Sequence, residues 1–96
     1  MSKLEARIEA ELVKRAKQRG YICYKLDQIP GQRNNPDQLI INSKRECIHV
    51  EVKRKGLPAR PAQTAQHNYL SNKGQWVSIL DDEAEIDAVL SLLEPE

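Results

Sequence analysis

Asp37, Glu51 and Lys53 are the residues whose types and spacing fit a recognisable chemistry. Glu51 and Lys53 stand two apart in Cys47-Ile48-His49-Val50-Glu51-Val52-Lys53, where apolar and polar residues alternate. In a strand, that alternation puts Ile48, Val50 and Val52 on one face and Cys47, His49, Glu51 and Lys53 on the other. A carboxylate and an ammonium then project together from the strand's end. Asp37 opens the preceding strand, and a tight hairpin between the two brings it beside Glu51 and Lys53. Two carboxylates so placed repel unless a cation lies between them, and all-oxygen ligation suits Mg²⁺ or Mn²⁺. Such an ion polarises a phosphate oxygen and acidifies a water, while a nearby lysine offsets charge building on the phosphorane. The residue types fit phosphodiester hydrolysis.

Each piece also has a plain structural reading. An Asp that opens a strand after Pro often caps its own backbone, and an E-x-K on a strand is often a solvated ion pair. Their combination in one topology is what points to a site. The first helix adds to it: at about 100° per residue, Leu4, Ile8, Leu12, Val13 and Ala16 share one face, and Glu9 falls inside that arc. A carboxylate turned toward the core needs a partner, for which a metal site is one candidate. Glu5 lies nearer the edge of the arc and Glu11 just outside it. His49 reads as a packed or hydrogen-bonded side chain and His67 as a surface helix residue.

The elements that must position these residues follow from local signals. Ser2 to Arg19 reads as a helix ended by Gly20, with basic residues in its last turn. Tyr21 to Leu26 reads as a strand, and the polar Pro30-Gly31-Gln32-Arg33-Asn34-Asn35-Pro36 as a loop. Asp37 to Asn42 and Glu46 to Lys53 are strands around an Asn42-Ser43-Lys44-Arg45 turn. A loop from Gly56 to Pro61 leads to a helix over Ala62–Asn72, closed by Gly74. Gln75 to Leu80 is a fourth strand, and Glu83 to Leu93 an amphipathic helix capped by Asp81 or Asp82. The order αβββαβα predicts an α/β fold with a mixed sheet flanked by helices.

Ninety-six residues fill one domain, 1–96, because a second core could not be built from the remainder. With no Phe, the interior falls to Ile, Leu, Val and Ala. A net charge of +1 excludes a protein held to nucleic acid by bulk charge alone, though the charges are segregated. Lys14, Arg15, Lys17 and Arg19 form one basic run, Lys53, Arg54, Lys55 and Arg60 another, and Asp81, Asp82, Glu83, Glu85 and Asp87 an acidic one. Cys23 and Cys47 lack the pairing that structural zinc or a disulfide framework needs. No apolar run is long enough for a membrane span and no signal-peptide pattern opens the chain, so a soluble protein of a bacterial or phage-infected cytoplasm is expected.

With these residues in place, the sequence resembles the PD-(D/E)xK nucleases, specifically the VRR-NUC group of virus-type replication and repair nucleases. The likeness runs through Glu5-x-x-Ile8-Glu9-x-x-Leu12, Tyr24-Lys25, Pro36-Asp37, Val50-Glu51-Val52-Lys53, Gly56-x-x-x-Arg60-Pro61-x-Gln63 and Gly74. It implies a restriction-endonuclease-like fold and a DNA endonuclease dependent on Mg²⁺ or Mn²⁺. Glu9, Asp37 and Glu51 would be the metal-side acids, with Val52 lending its carbonyl. Lys53 would be the catalytic lysine and Gln63 a polar helix residue facing the site. Gln66, one turn on, shares that position, and both glutamines are also readable as solvent-facing. Asn34 stands where the group usually has glycine. Asparagine tolerates a left-handed backbone next best, so the turn survives, although a bulkier loop would alter which DNA geometry enters.

Stand-alone members of the group resemble phage enzymes that act as dimers on branched DNA such as four-way junctions. One chain presents one site, so paired cuts call for a C₂ homodimer. The apolar face of the terminal helix (Ile86, Val89, Leu90, Leu93) and the exposed sheet edge are the candidate interfaces. Arg33, Arg54, Lys55 and Arg60, with Lys44 and Arg45, are expected on loops around the site end of the sheet, touching phosphates without reading bases. The alternatives are a nuclease on flaps, nicks or duplex without junction preference, and a catalytically silent nucleic-acid-binding module.

Overall fold

Ser2 and Glu5 start the first helix by exchanging hydrogen bonds: the Glu5 amide donates to the Ser2 hydroxyl at 3.1 Å, and the Ser2 amide to the Glu5 carboxylate at 3.0 Å. In the computed structural model, which describes residues 2–27, 29–31 and 34–96, this box opens α1 (Lys3–Gln18). The helix buries Ile8, Leu12 and Ala16 at four-residue spacing, and Glu9 with them. It ends where Gly20 takes a φ of 83°.

Three strands follow as an antiparallel meander, β1 (Ile22–Lys25), β2 (Gln38–Ile41) and β3 (Cys47–Val52). The β2–β3 turn is built on Asn42, whose side-chain oxygen accepts from the amides of Lys44 at 3.1 Å and Glu46 at 2.9 Å. The chain then crosses through α2 (Pro61–Asn72) to β4 (Trp76–Leu80), which pairs in parallel with β3. The sheet order is therefore β1-β2-β3-β4, mixed as expected, and the fold class is α/β.

The two sheet faces differ in kind. Ile40, Ile48, Val50 and Val52 point to one face and meet Ile8, Leu12 and Ala16 of α1, together with Leu80, Ile86, Leu90 and Leu93. These side chains are the hydrophobic core. The opposite face carries His49 and Glu51 beneath α2, a helix whose buried residues are Gln63 and His67. One face holds the main core, and the other sets His49 and Glu51 beside the apolar Leu39, Val77 and Ile79 of the neighbouring strands.

Three expectations are corrected by the structure. The terminal element is shorter than Glu83–Leu93: a 3-10 turn over Glu83–Glu85, with the Asp82 side chain accepting from the Ala84 amide, precedes α3 (Ile86–Leu90). Beyond it the chain tightens into three-residue bonds, Leu92 to Val89 and Leu93 to Leu90. Ile86, Val89, Leu90 and Leu93 are buried in the chain's own core, so this face is not a surface on which a second copy could dock. Lys44 and Arg45 are also misplaced by the sequence reading. They sit on the β2–β3 turn, and because those strands are antiparallel that turn lies at the opposite end of the sheet from Asp37 and Glu51. Lys44 instead pairs with Glu94 at 3.5 Å.

Candidate active site

The antiparallel register fixes the centre of the site. Gln38 lies opposite Val50, so the next pair outward is Asp37 and Glu51, both buried. Asp37 is tied further along β3 by its Oδ2, which accepts from the Val52 amide at 2.7 Å. That bond brings the Val52 peptide to the carboxylate, while the Val52 side chain packs in the core. The structure thus brings Asp37 beside Glu51, as the hairpin argument anticipates, and adds the Val52 amide.

Two carboxyl groups this close cannot both ionise cheaply in a buried place. Burial pushes the Glu51 carboxyl up to about 8; the hydrogen bond to Asp37 and that residue's negative charge add to the rise, and the Lys53 ammonium opposes it. Burial also raises Asp37, against the lowering effect of the Val52 amide. Without a cation, the pair shares a proton that resides on Glu51. Lys53 is half-buried next to it, and its charge reaches Glu51 and His67.

Glu9 enters from the other side of the sheet. It is buried in α1, and its Oε1 accepts from the Lys25 ammonium at 2.6 Å. Lys25 also lies 3.7 Å from Asp27, and its own pKa is raised, first by the Glu9 hydrogen bond. Oxygens of Glu9, Asp27 and Asp37 all lie within 4.8 Å of one another. The misplaced glutamate of the helical pattern therefore has a partner, and the partner is a lysine.

α2 closes the polar face. Gln63 is buried, accepts from the Arg60 amide at 3.0 Å in the manner of a capping box, and lines the cavity with Asp27, Asn34, Asn35, Asp37, Glu51 and Arg60. Gln66 donates to Asn35 at 3.1 Å, which fastens α2 to the loop before Asp37. The cavity measures about 500 Å³ and is open to solvent. His67 corrects the sequence reading: it is buried, not on the surface, with Nε2 3.6 Å from Glu51 Oε1. His49 is packed as expected, its Nδ1 3.3 Å from the Trp76 carbonyl.

Asn34 has a φ of 63°, the left-handed conformation its place in the loop demands. Arg54 and Arg60 are exposed. Lys55, also exposed, bonds to Asp82 at 3.2 Å, away from the cavity, and Arg33 lies outside the described residues. Sequence reasoning assigns no role at the site to Lys25, Asp27 or His67. An i, i+4 pairing of Gln63 with His67 is the available sign for the last of these.

The donor set can be tested against a divalent ion. Among the described residues, the buried side-chain atoms without a hydrogen-bond partner are Glu9 Oε2, Glu51 Oε1 and His67 Nε2. Orphaned acceptors at such a depth are costly unless something meets them. Two are carboxylate oxygens, one on Glu9, which clusters with Asp27 and Asp37, and one on Glu51. Asp37 and Glu51 offer the oxygen donors that suit a hard cation such as Mg²⁺ or Mn²⁺.

No protein-family model and no curated protein matches the chain. A solved structure described as a VRR_NUC domain does, with a TM-score of 0.86 over 97% of this chain and 100% of that one, at 22% identity. At that identity the likeness is one of fold, and it covers every element that positions the site. This chain has the fold of a VRR_NUC domain.

Proposed function

We propose that this protein is a DNA endonuclease that uses Mg²⁺ or Mn²⁺ to hydrolyse phosphodiester bonds. The observation that carries the reading is the buried, register-paired Asp37 and Glu51, two acids that a divalent cation would balance. The VRR_NUC fold supports it. Asp37, Glu51 and the Val52 carbonyl would hold the ion, which when bound supplies Lewis-acid activation of the phosphodiester. Lys53 borders the same carboxylates, where its ammonium stabilises charge growing on the phosphorane. Arg60, at the cavity rim, and Arg54 offer guanidinium groups to phosphates, and Gln63 lines the wall against which the strand rests. Asn34 and Gln66 shape the loop and helix beside that wall.

His67 then has a task in this site. Glu51 would be ionised when it holds an ion, and the imidazole, 3.6 Å away and not hydrogen-bonded to it, would then donate to it after a small shift and fix its orientation. Replacing His67 by alanine is expected to weaken Mn²⁺ binding by about 10–100-fold. Calorimetry would show it, and an unchanged affinity would reduce the contact to packing.

For substrate and assembly, our reading is a C₂ dimer acting on branched DNA. Its support is that the described residues of each chain form the one acid-lined cavity around Asp37 and Glu51, while opening a four-way junction takes two symmetric cuts. Of the two interfaces considered, the sheet edges remain, with Ile22 and Tyr24 exposed on β1 and Trp76 and Ile79 on β4. The test incubates the protein with labelled four-way junction, flap and linear duplex DNA, in Mg²⁺, Mn²⁺ or chelator, with a folded Asp37→Asn variant alongside. Metal-dependent paired cuts at the junction, lost in the variant, are expected. Cutting spread over all substrates would remove the junction preference and keep the nuclease. Binding without cleavage in any metal would make the protein a nucleic-acid-binding module.

A further inference from the structure

Lys25 reaches from the edge strand β1 into a place where three carboxylates converge. Its ammonium lies 2.6 Å from Glu9 Oε1 and 3.7 Å from Asp27 Oδ1, with Asp37 close enough to act on its charge. The oxygens of Glu9, Asp27 and Asp37 span no more than 4.8 Å. Oxygens on opposite sides of a Mg²⁺ ion lie about 4.2 Å apart, so the cluster is close to the size of one coordination shell. Independently, Glu9, only 8% exposed, leaves its Oε2 without a partner there. A protein carboxylate does not bury an unused oxygen beside two other acids unless the place is made for positive charge. The lysine supplies one unit of charge to a cluster with room for two.

We infer that the Lys25 ammonium stands in the position of a second divalent cation, so that the chain takes one metal ion, on Asp37 and Glu51, beside a built-in organic cation on Glu9 and Asp27. The inference rests on the proposed nuclease reading and changes one of its details. Glu9 is then not a ligand of the metal ion; it is an acid held by Lys25. The design has a physical sense. An ammonium cannot act as a Lewis acid, but it neutralises the outer carboxylates at any metal concentration. Lys25 is thus a positioning residue that keeps the second place closed to metal.

The test counts ions. Mn²⁺ alone is titrated into the wild-type chain and into Lys25→Met, Lys25→Gln and Lys25→Arg, by calorimetry and by electron paramagnetic resonance of the free ion. Lys25 is partly exposed on an edge strand, so the substitutions leave the core untouched, and having two neutral variants guards against one failing to fold. One ion per chain is expected for wild type and Lys25→Arg, and two for the neutral variants. Adding Glu9→Gln to a neutral variant should return the count to one. A neutral variant that still binds one ion overturns the inference and leaves the nuclease reading intact, as does a wild-type chain that binds two. A wild-type chain that binds none removes the nuclease reading itself, and the inference falls with it.

Discussion

Glu51→Gln is expected to yield a protein that is more stable than the wild type at alkaline pH without metal, and inert as a nuclease. In the metal-free fold Glu51 keeps its proton up to about 8, whereas an unfolded glutamate loses it near 4.5. Between those values the folded state binds more protons, so stability falls as pH rises. The favourable contribution is fully present below about 4.5 and is lost on passing about 8. Its size is on the order of a few kcal/mol, since each tenfold gain in proton affinity is worth about 1.4 kcal/mol. Glutamine keeps the shape and removes the ionisation, and with it this slope. Chemical denaturation in chelator should therefore give similar stabilities at about pH 4.5 and a clear advantage for the variant at about pH 8.5. Parallel curves for the two proteins would defeat the account. The same change deletes a cation ligand, and cleavage should fall by roughly 10³-fold or more.

Affinity for the metal should rise with pH for the same reason. An ion seated between Asp37 and Glu51 has to displace the shared proton, so binding and protonation compete. From about pH 6 to about 8 the Mn²⁺ association constant is expected to climb by up to about tenfold per pH unit, and then to level off. At about pH 7 the uptake of each ion should release close to one proton. Calorimetry in buffers of different ionisation enthalpy measures that number directly. Release of no protons, with flat affinity across the same range, would mean that Glu51 is already ionised in the free protein.

What could be read from the sequence depended on how far each residue's position is set by local geometry. Asp37, Glu51 and Lys53 were legible because strand alternation and one hairpin locate them without any knowledge of packing. Glu9 was legible because it breaks an apolar arc, although periodicity could not say what met it. Lys25 was not, since a lysine ending a short strand looks like any solvated edge residue, and only the tertiary approach of α1 reveals the carboxylate it holds. His67 was missed for a related cause. A search for the buried face of a helix looks for apolar residues, and α2 buries Gln63 and His67. Lys44 and Arg45 lie far from the site because the antiparallel β2–β3 reversal carries them to the other end of the sheet, which the presence of basic residues in a loop does not reveal. The shortening of the last helix is a matter of a few three-residue bonds, which sequence resolves poorly.

That polar underside of α2 bears on how the molecule breathes. A helix docked by hydrophobic burial alone opens only when the core does, whereas α2 buries Gln63 and His67 and is fastened to the loop before Asp37 by the Gln66–Asn35 hydrogen bond. Among the described residues α2 contributes no side chain to the hydrophobic core, so its amides are expected to exchange with solvent ahead of those of α1, β3 and β4. Such a difference, measured by hydrogen exchange, would mean that the wall of the candidate site lifts while the scaffold stays folded. Access for a bulky polymer such as DNA then does not require the cavity to be wide at rest.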